Sequence, residues 1–281
     1  AAPAAPAAPA APAAPAAPET VTERIQRQVD EMIKERTAEV RAQSEVERKQ
    51  LLSDQTKAET FRLKQEVLYD QATSSFTLQT SFKASHAARR TTAVEEGEHH
   101  RSLNYGEIPF STMCTTLQKI QMSYDSGANR LEGGVMYDLG SGAGKSVVAA
   151  ALSLPCLSRV VGIELLRELH DVSLQVLESY NKFVDVVHQE RSPTVATMCD
   201  DLVKVEWYKD ADVVFCNTLV FDEDLLSRLA GLLCKVSSGC YLVHSGRLNK
   251  DNRLDEYFHL LESSMKQYSW GKSSVWIHQK K

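Results

Sequence analysis

The chain has 281 residues, a net charge of −5 and 43% hydrophobic residues. No apolar run approaches the ~18 residues that a membrane-spanning helix requires, so the sequence predicts a soluble protein without membrane contact. The six cysteines are scattered and none has C-x-x-C spacing, which favours buried thiols in a reducing compartment over a disulfide framework or a zinc site.

The first seventy residues predict a spacer followed by a helical arm. Residues 1–18 are six Ala-Ala-Pro repeats with no apolar face to bury, a pattern typical of a disordered or polyproline-II-like tract. Residues 19–70 contain neither Gly nor Pro and mix charges of both signs with spaced aliphatic side chains. We interpret them as one long or two consecutive exposed helices, with a capping box at residues 56–59. A solvated arm is favoured over a coiled coil that would self-associate.

Residues 71–104 lose this periodicity and are expected to form a linker that leads into the main domain. A modest basic cluster lies here, formed by Lys83, His86, Arg89 and Arg90. Acidic residues follow it closely, so a solvated linker is favoured over a nucleic-acid contact. His99 and His100 are adjacent and point apart, with no third ligand nearby, so we predict no metal site.

Residues 105–281 alternate strand-like and helix-like segments and are predicted to form one domain. The predicted strands are Val135–Leu139, Arg159–Ile163, Thr194–Cys199, Ala211–Asn217 and Gly239–His244. The predicted helices are Lys145–Leu154, Leu166–Phe183 and Glu223–Lys235. This alternation indicates a doubly wound α/β sheet that binds ligands at the carboxyl ends of its strands. Met265–Trp270 and Ser274–Gln279 have no helix between them and predict a final antiparallel hairpin.

The glycine-rich stretch at residues 135–145 is the main functional signal. As a phosphate-binding P-loop it is one residue short before Gly144-Lys145. As a dinucleotide fingerprint its third glycine comes one place early, and Asp138 would repel a pyrophosphate. The pattern D-x-G-x-G-x-G after a strand is typical of loops that bind S-adenosylmethionine, a cationic ligand that suits an acidic residue. A tight turn without a ligand is the plain alternative.

Acidic and amide residues follow the next three predicted strands. Glu164 is placed to accept hydrogen bonds from two ribose hydroxyls, a feature that NAD enzymes share. Asp200 and Asp201 are placed to accept from an adenine amino group. Asn217 lies where a methyl-accepting group is expected to enter.

Together these motifs resemble the disruptor-of-telomeric-silencing family of non-SET histone H3 lysine methyltransferases. The match runs in the same order from Tyr105 to about His278. Its motifs are Tyr105-Gly106-Glu107, Asp138 through Gly144, Val161 through Glu164, Cys199 through Leu202, Asn217 through Leu225 and Tyr268 through Lys272.

The resemblance implies a Rossmann-like class I methyltransferase with a seven-stranded sheet, preceded by the helical arm. It implies a nuclear enzyme that transfers methyl groups from S-adenosylmethionine to a lysine in the globular core of histone H3 in nucleosomes. The implied cofactor-binding residues are Tyr105, Glu107, Asp138, Gly140, Ser141, Gly142, Gly144, Lys145, Glu164, Asp200 and Asn217. The implied catalytic residues are Asn217, Phe221, Trp270 and Tyr105, with the Phe and Trp as walls of a lysine channel.

Three departures from the family pattern accompany the match. Thr218 replaces a second Asn, Asp201 stands where the family has a Phe, and Lys145 replaces a polar amide. Residues 105–281 hold 18 basic and 22 acidic side chains, so DNA contact is expected to be weak or indirect. Two alternatives stay open: a catalytically weak scaffold that binds S-adenosylmethionine, and a methyltransferase of another protein or of RNA.

Overall fold

The computed structural model describes residues 56–96, 106–125, 130–187, 192–246, 248 and 254–281. The Ala-Ala-Pro repeat, most of the predicted arm, the His99-His100 pair and Tyr105 lie outside the described residues. Within the described ranges, no helix is both long and apolar enough to cross a bilayer.

From Val135 to Gly246 the chain alternates strands and helices in the order that the sequence predicts, and three helices of the described residues precede this part. The helices are α1 (Thr56–Thr73), α2 (Leu78–Glu96), α3 (Phe110–Lys119), α4 (Lys145–Ser153), α5 (Arg167–Val187), α6 (Glu223–Leu233) and α7 (Leu254–Tyr257). A π-helical turn, Ile120–Tyr124, follows α3, and a 3-10 turn, Trp207–Lys209, precedes the fourth strand. The strands are β1 (Val135–Leu139), β2 (Arg159–Glu164), β3 (Thr194–Cys199), β4 (Val213–Thr218), β5 (Tyr241–Gly246), β6 (Phe258–Tyr268) and β7 (Gly271–Lys280).

The seven strands form one sheet in the order β3-β2-β1-β4-β5-β7-β6. The first five strands pair in parallel, because a crossover separates each from the next. Only two residues separate β6 from β7, so these strands pair antiparallel, and β7 also runs antiparallel to β5. The prediction of a Rossmann-like class I methyltransferase sheet is confirmed.

The boundaries of the five parallel strands agree with the prediction to within two residues, whereas β6 begins at Phe258 and β7 at Gly271, earlier than the predicted Met265 and Ser274. The bounds of β1 and β3 match the prediction, and β2 extends one residue further, to Glu164. The prediction for β5 began two residues early, at Gly239. That glycine has a φ of 85° and lies in a turn closed by a bond from the Cys240 N–H to the Ser237 carbonyl, so the strand begins only at Tyr241.

Side chains of the parallel strands alternate between two apolar layers. Met136 and Val213 face the layer covered by α1, α3, α4 and α5. Tyr137 and Val214, their neighbours in sequence, face the layer covered by α6 and the buried ring of Trp207. Because successive side chains point to opposite faces, helices cover both faces of the sheet. The carboxyl edge of the sheet is then lined by the connecting loops.

The region before residue 105 is more closely packed than expected. Val67 and Leu68 of α1 belong to the main core, so this end of the predicted arm is not an exposed helix. Residues 78–96 form α2 instead of an aperiodic linker, and α2 lies against α5. Its buried face is made of the small residues Ser81, Ser85 and Ala88, which allow close approach but give no apolar periodicity to read. The domain boundaries themselves remain predictions.

Candidate functional site

The glycine-rich loop joins the end of β1 to the start of α4. Gly140 and Gly144 have φ angles of 83° and 74°, in the left-handed region that side chains disfavour. The N–H groups of Gly140 and Ser141 donate to the Ile163 carbonyl at 2.9 and 3.0 Å, which fixes the loop against the end of β2. The N-terminal end of α4 is therefore held at the carboxyl edge of the sheet.

The strand order sets the order of the predicted site residues. Asp200 follows β3, Glu164 ends β2, Asp138 lies in β1 and Asn217 lies in β4. Because these strands are neighbours in the order β3-β2-β1-β4, the four polar side chains form a row along one edge. An elongated ligand lying across this edge would meet them in that sequence.

A cavity of about 270 Å³ opens along this row. Ten predicted site residues line it: Glu107, Asp138, Gly140, Ser141, Gly142, Lys145, Glu164, Asp200, Asn217 and Phe221. Gly144 and Trp270 do not. A side chain at Gly144 would begin 2.9 Å from the Ser173 Cβ, so this glycine allows the loop to pack on α5.

Glu164 is held by two backbone donors. Its Oε2 accepts from the Gly142 N–H at 2.7 Å and its Oε1 accepts from the Leu166 N–H at 2.8 Å. Burial raises the pKa of Glu164, and these backbone hydrogen bonds counteract part of the rise. A carboxylate has about four acceptor positions, so the group can also accept from a ligand hydroxyl.

Asp138 is a second buried acid, with 1% of its surface exposed. Burial raises its pKa to about 7, while a short hydrogen bond donated by the Ser146 hydroxyl acts in the opposite direction. The negative charge of Glu164 raises this pKa further. A cationic ligand in the cavity would stabilise the ionised form of Asp138.

Lys145 begins α4 and forms an ion pair with Glu107. The Lys145 Nζ lies 2.8 and 2.9 Å from the two carboxylate oxygens of Glu107, and the side chains are 9% and 16% exposed. The positive end of a helix dipole disfavours an ammonium group at this position. The Glu107 carboxylate offsets that cost and links the segment before α3 to the glycine-rich loop.

The Tyr-Gly-Glu and Ser-Trp-Gly-Lys motifs meet beside this ion pair. The Glu107 N–H donates to the Ser269 Oγ at 3.0 Å, and the Ser269 N–H donates to the Glu107 carbonyl at 3.0 Å. The Trp270 ring covers Gly106, where an added Cβ would lie 2.3 Å from the ring. Trp270 is 44% exposed, so its indole forms an outer wall next to the cavity.

The profile of the family described as Histone methylation protein DOT1 matches residues 88–277, more than half of the chain. The chain belongs to this family. It is therefore a methyltransferase that uses S-adenosylmethionine, and the resemblance inferred from its motifs is confirmed.

Several solved structures resemble the DOT1-family domain at low identity. An RNA methyltransferase from Salinibacter ruber in complex with S-adenosyl-L-homocysteine is 20% identical, with 60% of this chain and 90% of that chain covered and a TM-score of 0.42. Magnesium protoporphyrin IX methyltransferase from Synechocystis PCC 6803 with bound SAM is 17% identical, with 70% and 97% covered and a TM-score of 0.44. A B. subtilis tRNA methyltransferase, TrmK, is 13% identical, with 62% and 66% covered and a TM-score of 0.44. Likenesses this distant do not bear on the substrate.

The cavity of this DOT1-family chain fits the cofactor chemically. Glu164 presents oriented carboxylate acceptors, and Asp138 presents a buried carboxyl whose ionised form a cationic ligand would stabilise. Gly140 and Gly142 allow the backbone to approach closely. The carboxyl groups of the cavity therefore suit a ligand that carries hydroxyls and a positive charge more than one that carries a phosphate.

The residues predicted for the methyl-acceptor side lie at the end of β4 and directly after it. The Asn217 Oδ1 accepts from the Ser245 Oγ at 2.6 Å, so the Asn217 amide has a fixed orientation. Thr218 is fully buried and its hydroxyl donates to the Ser245 carbonyl. Phe221 lies over the loop, because a Cβ on Gly140 would be 3.4 Å from its ring. The Thr218 side chain, which replaces the second Asn of the family pattern, thus links β4 to β5 and does not line the cavity.

The sequence analysis did not single out several side chains of the site. Ser146 bonds Asp138, and the Asp224–Arg228 pair of α6 lines the cavity. The i,i+4 spacing of this pair was visible in the sequence, but nothing there placed α6 beside the glycine-rich loop. Asp201, which was predicted with Asp200 from the sequence, lines the cavity as well. The described part of the chain contains no group of three side chains arranged to hold a metal ion.

Proposed function

We propose that this DOT1-family protein transfers methyl groups from S-adenosylmethionine to a lysine in the globular core of histone H3 in nucleosomes. Nuclear residence and action on chromatin belong to the same proposal. The observation that supports it most is the pair of hydrogen bonds between Glu107 and Ser269. These bonds hold the Tyr-Gly-Glu and Ser-Trp-Gly-Lys motifs together at one side of the cavity.

The charge around the cavity supports a basic protein substrate. Acidic residues dominate the lining on the side of β3 and α6: Asp200, Asp201, Asp222 and Asp224. Such a rim attracts a cationic surface and repels a nucleic-acid backbone. Contact with nucleosomal DNA is therefore proposed to be weak or indirect, with the histone surface as the main docking partner.

Residues of the cavity divide between holding the cofactor and aligning the acceptor. When bound, S-adenosylmethionine would supply a methyl group on a sulfonium; the lone pair of a neutral amine can take this methyl group in one step, with the C–S bond breaking and the thioether leaving. Glu164 and Asp200 would hold the adenosyl part, while Asn217, oriented by Ser245, would align the reacting groups. Catalysis then rests on alignment and water exclusion more than on covalent chemistry.

The acceptor lysine must lose its proton before it attacks. Phe221 beside the cavity and Trp270 outside it are proposed as walls of the lysine channel, because an apolar surround disfavours the ammonium form. Tyr105, which lies outside the described residues, is proposed to close the channel next to Gly106. Self-association through residues 19–70 also remains a proposal, with the face of α1 already used in the core.

Tritiated S-adenosylmethionine incubated with nucleosomes, free histones and RNA tests this function. The expected result is label on histone H3 in nucleosomes. Gly140→Arg is the negative control, because the φ of 83° strains any side chain at this position and the arginine would extend from a Cβ 3.4 Å from the Phe221 ring, at the edge of the cavity. Label on RNA or on another protein would contradict the substrate. Absence of label, with cofactor binding retained, would favour a scaffold that binds cofactor without catalysis.

A further inference from the structure

Tyr268, the last residue of β6, is buried, and among the described residues its hydroxyl has no partner in full hydrogen-bond geometry. It is 1% exposed, and its ring contacts the Trp270 indole, with 4.5 Å between the ring centroids. A buried hydroxyl without a hydrogen bond is costly, and folded proteins keep few of them. The polar groups next to this hydroxyl therefore determine what it does.

The neighbour of the Tyr268 hydroxyl is Ser245. Burial raises the pKa of Tyr268 to about 12, and the Ser245 hydroxyl acts in the opposite direction, so the two hydroxyls are close enough to interact. Ser245 is fully buried and lies opposite Asn217 in the β4–β5 register, where its Oγ is 2.6 Å from the Asn217 Oδ1. Asn217 lines the cavity, whereas Ser245 and Tyr268 do not. The three side chains thus form a line that leads from the core to the cavity.

This line of three groups can be hydrogen-bonded in two directions. In the first, the Tyr268 hydroxyl donates to the Ser245 Oγ, the Ser245 hydroxyl donates to the Asn217 Oδ1, and the Asn217 amide nitrogen is left for the cavity. In the second, the Asn217 amide donates to Ser245, and the Ser245 hydroxyl donates to the Tyr268 oxygen. The Tyr268 proton is then buried without an acceptor, so the second direction is the less stable one.

We propose that Tyr268 is a positioning residue, which fixes the direction of this line and so turns the Asn217 amide nitrogen toward the cavity. The inference deepens the proposed function and rests on it, because Asn217 is assigned there to aligning the acceptor. The partial positive charge of an amide N–H2 disfavours an ammonium and favours a neutral amine. An amide oxygen in its place would accept from the ammonium and keep it protonated. Tyr268 thereby acts on the acceptor lysine through Ser245 and Asn217.

Heteronuclear NMR of the Asn217 side-chain amide tests the direction in the ligand-free protein, without a methyl acceptor. Asn217→Asp identifies the signal by its loss. Tyr268→Phe is expected to shift the Asn217 amide resonances, because the amide can then adopt both orientations. Tyr241→Phe is the matched control: Tyr241 is also fully buried, but it begins β5 at the opposite edge of the sheet and donates to the Tyr124 carbonyl at 3.0 Å. It should lower the urea midpoint and leave the Asn217 signal in place.

The pH dependence of methyl transfer to nucleosomes tests the consequence for the acceptor. Tyr268→Phe should move the acid limb of kcat to higher pH by about half a unit to one unit, the equivalent of one hydrogen bond, with the KM for S-adenosylmethionine changed less than about twofold. Ser245→Ala should produce a similar shift, and the double variant should shift no further, because the line is already broken. The charged groups that face the same cavity are unchanged in every variant, so the shift between profiles is the readout: Glu107, Asp138, Lys145, Asp222 and Asp224.

Unchanged Asn217 resonances in Tyr268→Phe would overturn the inference, and so would additive shifts in the double variant. A lower kcat at every pH with the acid limb in place would reduce Tyr268 to packing and overturn it as well. Absence of transfer to nucleosomes by the unmodified protein would refute the proposed function instead, and the NMR comparison would still decide the direction of the hydrogen bonds.

Discussion

Asp138→Asn is expected to remove a pH dependence from the stability of the ligand-free protein. Burial raises the pKa of Asp138 from 3.8 to about 7. Because the folded state binds this proton more tightly than the unfolded chain, the stabilisation is complete below the unfolded pKa and is lost as the pH rises toward 7. At about 1.4 kcal/mol per pH unit, the interval between the two pKa values corresponds to about 4 kcal/mol.

Urea unfolding of both proteins between pH 4.5 and about 7.5 measures this effect, since the difference in unfolding free energy removes the titrations of groups that do not interact with residue 138. Over this pH range the unmodified protein should lose, relative to the variant, most of the roughly 4 kcal/mol of unfolding free energy that the interval between the two pKa values gives. Ser146→Ala should move the curve to higher pH, because the Ser146 hydrogen bond lowers the Asp138 pKa. A difference that stays constant with pH would refute the buried-acid reasoning.

Three further outcomes concern stability. Burial lowers the pKa of His278 from 6.5 to about 4. The unmodified protein should therefore lose about 3 kcal/mol of unfolding free energy relative to His278→Phe as the pH falls from 6.5 to 4. The same pH dependence of the unfolding free energy for both proteins, measured with urea, would contradict this. Gly144→Ala should lower the unfolding free energy by about 2–3 kcal/mol, because it combines left-handed strain with contact against Ser173. Gly133→Ala, with a φ of 71° and open space around it, should cost only about 1 kcal/mol, and equal melting temperatures for the two variants would exclude the contact. Thr218→Val should cost about 1–2 kcal/mol by removing the donor to a buried carbonyl, and an unchanged melting temperature would show that this bond contributes nothing.

The fold was predictable because its signals are local. Strands such as β1 and β3 are short apolar runs between turns, and the helices between them fix a parallel arrangement. The helix α2 was missed because the residues on its buried face, Ser81, Ser85 and Ala88, are small. Side chains of this size contribute through close approach, which leaves no hydrophobic pattern in the sequence.

The row of polar residues at the strand ends was predictable for the same reason. Asp138 lies one residue before the end of a predicted strand, while Glu164, Asp200 and Asn217 each end or follow one, and parallel strands bring their carboxyl ends to one edge. Contacts between segments distant in sequence were not predictable. The pairing of Lys145 with Glu107 depends on where the chain before α3 crosses the loop, which no local pattern determines.

The junction between Glu107 and Ser269 has a consequence for how the protein reaches its working state. Its partners are 162 residues apart in sequence. Closing so long a loop for two hydrogen bonds is entropically unfavourable until the intervening sheet has formed, so the junction is expected to form late in folding. A partly folded chain would then have the glycine-rich loop in place before the Trp270 indole lies beside the cavity. Cofactor capture would in this way be reserved for molecules whose folding is complete.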